Sequence, residues 1–185
     1  MTVKETKLQG CFVIEPTVFE DKRGYFFETF NRKNFKEATG LEIDFVQDNE
    51  SYSTKAVLRG LHFQTGKYAQ AKLIRVVKGN VLDIAVDLRK ESATFGQCFS
   101  IELSEKNKNQ LFIPRGFAHG FVVLSNTAIF SYKCDNYYNK ASESGIIHND
   151  QDLNINWKLP EEDLIISEKD KQLPTFKEFC HSEGI

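Results

Sequence analysis

The sequence predicts a mainly β protein, a jelly-roll barrel with a few short peripheral helices. Three observations predict it. The aromatic set is 16 Phe and 6 Tyr against 1 Trp, and Phe and Tyr favour strands. Short apolar stretches recur with turn signals between them, the spacing of a sandwich or barrel, and a jelly roll closes such a set without long edges. In Val81–Leu88 the residues Leu82, Ile84, Val86 and Leu88 alternate with Val81, Asp83, Ala85 and Asp87, the period of a half-buried strand.

The elements follow in order. Cys11–Ile14 reads as a short strand, with Pro16 breaking it before Val18–Phe19. Asp21-Lys22-Arg23-Gly24 is a turn, since Asp and Gly supply its dihedrals. Tyr25–Phe30 then continues as a strand, and Asn31–Thr39 is a short helix stopped by Gly40. From Val46 onward the pattern is nearly all strand: Val57–Gln64, Ala71–Lys78, Val81–Leu88, Cys98–Leu103, Gln110–Ile113, Gly120–Leu124 and Ala128–Asn136. Lys78-Gly79-Asn80 is a tight hairpin turn. Pro160–Asp163 resembles a first helical turn and Pro174–His181 a final short helix, both packed outside the barrel.

No repeat, low-complexity tract or Gly/Ser linker interrupts residues 1–185, so one domain is expected. With 24 Lys+Arg against 26 Asp+Glu, the chain is not a generally basic nucleic-acid binder. No apolar run approaches the ~18 residues of a spanning helix, and MTVKETKLQG lacks the apolar core of a secretory signal. A soluble, cytoplasmic protein without membrane contact is therefore expected. Cys11, Cys98, Cys134 and Cys180 lie far apart, which suits buried free thiols better than a zinc ribbon or redox dithiol.

Residues 51–82 hold Lys55, Arg59, Lys67, Lys72, Arg75 and Lys78 and no Asp or Glu. Lys55, Lys67 and Lys78 read as solvent-facing. Arg59 and Lys72 sit among apolar neighbours, where a buried cation needs a partner. An anionic ligand inside the barrel would supply it, a phosphate being the usual partner of a planar guanidinium. His62, between Leu61 and Phe63 on the same stretch, is either a hydrogen-bonded core histidine or a base beside those cations. A base would need a carboxylate to fix its tautomer, which the residue pattern does not identify. Tyr132, beside Phe130, reads on its own as a core aromatic.

Ile113-Pro114-Arg115-Gly116-Phe117-Ala118-His119-Gly120-Phe121 resembles the second half-motif of the cupin barrels, P-x-G-x-x-H. The first half-motif of metal-binding cupins has H-x-H and then Glu. Here Leu61-His62-Phe63-Gln64 offers one His and no acid lies between it and Asp83, so neither a metal site nor a cofactor is expected. Five strings together resemble the dTDP-4-dehydrorhamnose 3,5-epimerase family: Phe45–Asn49, Val57–Gln64, Ile113–Phe121, Asn136-Tyr137-Tyr138 and Ser167-Glu168-Lys169-Asp170. The resemblance runs in order from about Phe19 to Asp170.

That resemblance implies a metal-free cupin-type jelly roll acting on a dTDP-linked 4-keto-6-deoxy sugar, as a homodimer with exchanged N-terminal strands. It implies His62 as base, Asp170 as its orienting carboxylate, Tyr132 as acid on the opposite sugar face and Lys72 as the cation beside the C4 oxygen. It further implies that Arg59 and His119 bind diphosphate or sugar, that Gln47, Asn49, Glu143 and Lys169 contact nucleotide and sugar, and that Tyr138 stacks on thymine. Arg23 and Glu28 would reach the site of the partner chain, and Arg115 has no implied role. A C5-only epimerase, a 3,4-ketoisomerase and a non-catalytic sugar-nucleotide-binding module are the competing readings.

Overall fold

The computed structural model describes residues 1–184. Strands β1 (Thr2–Glu5) and β2 (Phe12–Glu15) open the chain, and β3 (Phe19–Asp21) and β4 (Gly24–Phe26) form a hairpin apart from the two main sheets. Helix α1 (Arg32–Thr39) starts at Asn31, whose side chain accepts from the Asn34 N–H, and ends at Gly40 in the left-handed region. The barrel strands follow: β5 (Gln47–Thr54), β6 (Val57–Gln64), β7 (Lys72–Lys78), β8 (Asn80–Asp87), β9 (Cys98–Ser104), β10 (Gln110–Ile113), β11 (Phe117–Val123) and β12 (Thr127–Cys134). Short strands β13 (Glu143–Gly145) and β14 (Ile165–Ile166) come next, and α2 (Phe176–Ser182) begins with a Thr175/Glu178 capping box.

One sheet has the order β1-β2-β10-β7-β12-β5 and the other β13-β6-β11-β8-β9, with β14 parallel to β6. Their inner faces meet in one core: Ile74, Val76, Leu111, Ile113 and Phe130 against Val81, Ala85, Leu103, Phe117, Phe121 and Val123. This is the expected mainly β, jelly-roll arrangement. No helix among the described residues is long and apolar enough to cross a membrane.

Three expectations need correcting. Strand β8 is buried along both faces, not half-buried, because Trp157, Leu153 and Phe179 of α2 cover Leu82, Ile84 and Val86 from outside. Asp83 and Asp87 consequently lie inside the protein, each 0 % exposed. The strand expected over Tyr25–Phe30 stops at Phe26, since Phe30 turns in to pack edge-on against Phe45 (5.0 Å) and against Phe35 of α1 (5.9 Å). Only Glu161–Asp163 of the expected helical turn at Pro160 is helical, as a single turn.

A β-bulge separates the halves of the β6–β11 ladder. His62 lies opposite His119 and Arg59 opposite Phe121, so Gly60 and Leu61 of β6 together face Gly120 of β11. The extra residue lets Arg59 and His62 face inward while Leu58 and Leu61 pack outward. The two backbones touch there: a Cβ on Gly60 (φ +132°) would lie 2.5 Å from Gly120 Cα, and one on Gly120 would lie 2.9 Å from the Arg59 carbonyl. Gly60→Ala is expected to cost ~2 kcal/mol or more in urea unfolding. Gly66→Ala, also at positive φ but with nothing near its Cβ, should cost only about 1 kcal/mol.

Candidate active site

The inner faces enclose a dry core at one end and a cleft of ≈ 730 Å³ at the other. Period-two alternation builds most of its walls. On β5, Gln47, Asn49, Ser51 and Ser53 face inward while Asp48, Glu50, Tyr52 and Thr54 are exposed. On the adjoining strands Phe130 and Tyr132 of β12 and Lys72 of β7 line the same side. His62 and Arg59 of β6 and His119 of β11 stand across from them on the second sheet.

Asp170 arrives from a C-terminal turn, Asp170–Gln172, 108 residues away from His62 in sequence. Its Oδ1 lies 2.8 Å from His62 Nε2, and its Oδ2 accepts from the Gly60 N–H at 3.4 Å. Ser167 Oγ accepts from the Asp170 N–H at 3.1 Å, holding the turn. Burial raises the Asp170 pKa, but the His62 hydrogen bond and charge, with the Gly60 and Ser167 bonds, outweigh it and hold the carboxyl below its ordinary value. His62 is the more accessible partner, its side chain 30 % exposed against 6 % for Asp170.

Lys72 has no carboxylate partner; its Nζ sits 5.8 Å from the Tyr132 ring centroid, and burial pushes its pKa down. Burial pushes the Tyr132 phenol up, so it stays protonated at neutral pH. His119 Nε2 lies 3.0 and 3.1 Å from the two oxygens of buried Asp83. Arg59 Nε donates to Ser53 Oγ at 3.1 Å, leaving the rest of its fork for a ligand. At the mouth, the Tyr138 hydroxyl donates to Glu143 Oε2 (3.0 Å), and Lys169 Nζ reaches the same oxygen and keeps the Glu143 carboxyl low. A base paired with a carboxylate, a cation and a protonated phenol around one cleft can remove and return a proton beside a carbonyl.

The model of the family described as dTDP-4-dehydrorhamnose 3,5-epimerase matches residues 5–178. The chain belongs to this family. An epimerase of that name from Shigella flexneri is 52 % identical over 170 residues, 92 % of this chain and 93 % of the relative. Among solved structures, one of the same name from Elizabethkingia anophelis is 61 % identical with a TM-score of 0.93, covering 96 % of this chain and 97 % of its own. The Legionella pneumophila dTDP-6-deoxy-D-glucose-3,5-epimerase, solved with dTDP-4-keto-L-rhamnose, is 45 % identical with a TM-score of 0.91, covering 95 % and 93 %.

Of the residues singled out in the sequence, the cleft gathers His62, Lys72, Tyr132, Asp170, Arg59, His119, Gln47, Asn49, Tyr138, Glu143 and Lys169. It does not gather Arg23 or Glu28. Arg23 sits on the β3–β4 hairpin, paired with Asp21, and Glu28 accepts from Asn31 and Asn34. Arg115 is outside too, bonded to Asp135 at 2.8 Å. Lys55, Lys67 and Lys78 are exposed. Sequence reasoning missed Asp83, Ser53, Ser167 and Gln64, whose Oε1 accepts from the Asn139 N–H at 2.9 Å. Asp83 left a signal, one of two acids alternating with apolar residues in β8, and Gln64 and Ser167 lay within family strings without a stated role.

The depressed Asp170 carboxyl carries a stability consequence. A group with a lowered native pKa stabilises fully above its unfolded pKa of about 3.9, and the effect disappears as pH falls through the native value. Asp170→Asn should therefore lose about 1–3 kcal/mol in urea unfolding at pH 7. The difference from the unaltered chain should shrink steadily below about pH 4.

Proposed function

We propose that the chain inverts C3 and C5 of dTDP-4-dehydro-6-deoxy-D-glucose, giving dTDP-4-dehydro-L-rhamnose for dTDP-L-rhamnose synthesis. The observation that carries this reading is the His62–Asp170 pair at 2.8 Å, opening on the same cleft as Lys72 and Tyr132. Hydrogens beside a ketone are acidic only because the resulting anion is an enolate. His62 takes the proton from carbon, and Asp170 holds its tautomer and offsets the imidazolium charge. Lys72 meets the negative C4 oxygen. Tyr132 gives a proton to the carbon from the opposite face, so the configuration inverts. Its raised pKa suits it, since a buried phenol keeps its proton until a carbanion-like centre draws it.

The remaining cleft residues divide by chemistry. Arg59 supplies guanidinium donors for diphosphate oxygens, and exposed Tyr138 offers a ring face for thymine. Gln47, Asn49, Glu143 and Lys169 offer polar contacts to nucleotide and sugar, and His119 to diphosphate or sugar. No metal or organic cofactor is assigned a step in this scheme.

The active unit is proposed to be a homodimer. Within the chain β1 pairs with β2 and β2 with β10, whereas the β3–β4 hairpin pairs with no other described strand and is the element free to be exchanged. It exposes Phe19 (63 %), Tyr25 (58 %) and Phe26 (68 %) around Arg23. Inserted beside a partner's cleft, it would bury those rings and deliver Arg23, with Glu28 following on the same segment.

Two experiments test the scheme. In D2O, His62→Ala should abolish deuterium uptake at both C3 and C5, because no enolate forms. Tyr132→Phe should keep exchange at one or both carbons while inversion falls about 10²–10⁴-fold. Equal collapse of exchange in two folded variants would make Tyr132 a sugar-positioning group instead. With the unaltered chain, uptake at C5 alone indicates a C5-only epimerase, a 3-keto product a ketoisomerase, and binding without exchange a non-catalytic module.

The second concerns the shared site. Inactive Arg23→Ala and His62→Ala chains, mixed and allowed to exchange, should regain activity, since one hybrid site has every residue. No recovery after demonstrated exchange would place Arg23 in its own chain's site or outside any site.

A further inference from the structure

Asp83 is the one carboxylate of β8 facing the cleft end of the interior, and the scheme above gives it no task. It is 0 % exposed, and both of its oxygens lie within 3.1 Å of a single atom, His119 Nε2. A carboxylate accepts, so the proton between them belongs to Nε2. His119 is otherwise held by its neighbours: its ring stacks at 20° on Phe130 (6.0 Å), and His62 stands opposite it on β6. Because His119 lines the cleft and Nε2 is taken, Nδ1 is the ring nitrogen left for a ligand.

We propose that Asp83 is a positioning residue that fixes His119 as the Nε2–H tautomer, so that bare Nδ1 accepts a hydrogen bond from a hydroxyl of the substrate sugar. The assignment rests on the functional reading above and decides between the diphosphate and the sugar as the group His119 meets. A phosphate oxygen needs a donor, which a bare nitrogen is not. A sugar hydroxyl needs an acceptor, and the neighbouring Lys72 and Arg59 offer none.

The surroundings keep the ring in that state. Burial lowers the His119 pKa, and the charges of Lys72 and His62 lower it further, against the opposing pull of Asp83. A neutral ring also avoids adding a positive charge beside Lys72, whose own ammonium is already penalised by burial. On a 4-keto-6-deoxy sugar the free hydroxyls are those at C2 and C3, so one of these two is the partner.

The test uses the full chain with 15N-labelled histidine, and dTDP-glucose as an unreactive ligand that keeps both hydroxyls. In the His119 spectrum, Nε2 should be protonated and Nδ1 bare. Adding dTDP-glucose should move the Nδ1 resonance, and dTDP alone should not. Of dTDP-2-deoxyglucose and dTDP-3-deoxyglucose, one should bind roughly 3- to 10-fold more weakly and leave Nδ1 unmoved.

Asp83→Asn should loosen the tautomer, because its amide can donate to Nε2, and should raise KM by a similar factor with kcat changed less. A protonated Nδ1 in the sugar-bound enzyme overturns the proposal, as do deoxy sugars that both bind like dTDP-glucose. So does an Asp83→Asn chain whose tautomer and KM are unaltered. If that variant does not fold, the unaltered chain's spectrum and the deoxy series decide alone. Failure of dTDP-glucose and dTDP to bind at all would instead overturn the functional reading, and this inference with it.

Discussion

The site depends on one backbone contact, the approach of Gly60 to Gly120. Arg59 and His62 are three residues apart, and on an unbroken strand they would point to opposite faces. One would then lie among Leu82, Ile84 and Trp157 on the outer side, an unpaired polar group in an apolar layer. The bulge removes that conflict by adding one residue to β6, and the added residue can only be accommodated where β11 has no side chain. The Gly60 N–H released from the ladder then donates to Asp170, so the irregularity that turns His62 inward also helps hold its carboxylate. Strand geometry and site chemistry are here a single constraint.

The second constraint is electrostatic. A barrel interior penalises every charge placed in it, and this one holds Lys72, Asp83, His119, His62 and Asp170 at or near one cleft. Two histidines are each matched to one carboxylate, whereas among the described residues neither Lys72 nor Arg59 is paired with one. The Lys72 ammonium rests over the Tyr132 ring, a weaker partner than a carboxylate. That arrangement leaves Lys72 free to answer charge that develops on a ligand, which a fixed ion pair would already have satisfied.

How much of this was legible in the sequence follows from which residues obey simple periods. Lys72 and Tyr132 sit on regular strands, so their apolar neighbours placed them inside, although Tyr132 read as core until the family strings were considered. Of the β6 pair, Arg59 was marked by its apolar neighbours, but His62 stayed open between core and base until those strings, because a bulge defeats a period-two reading. β5 was not delimited, since its inward face is Gln47, Asn49, Ser51 and Ser53, a polar set that carries no hydrophobic alternation. Asp83 was seen only as part of the alternation of a half-buried strand: local pattern shows that two faces differ, and cannot show that a later segment, Trp157 and α2, will cover the outer one. Asp170 was marked only by its family string, since nothing in its surroundings points to a partner 108 residues away.

On the proposed assignment, the sandwich explains how an inverting pair can stand on this fold. His62 projects from the sheet of β6, β11 and β8, and Tyr132 from the facing sheet of β7, β12 and β5. Facing sheets lie about 10 Å apart, room for one flat ring between side chains of opposite walls. A sugar held edge-on by groups at the mouth then presents one face to each sheet, and a base and an acid on opposite walls act on opposite faces without moving. On the proposed assignment, inversion follows from the walls being two, and Lys72, on the Tyr132 wall with its Nζ 5.8 Å from the Tyr132 ring centroid, serves the oxygen of either enolate. A single-walled site, on a helix or an open sheet, would have to turn the sugar over between proton removal and return. The jelly roll makes that unnecessary.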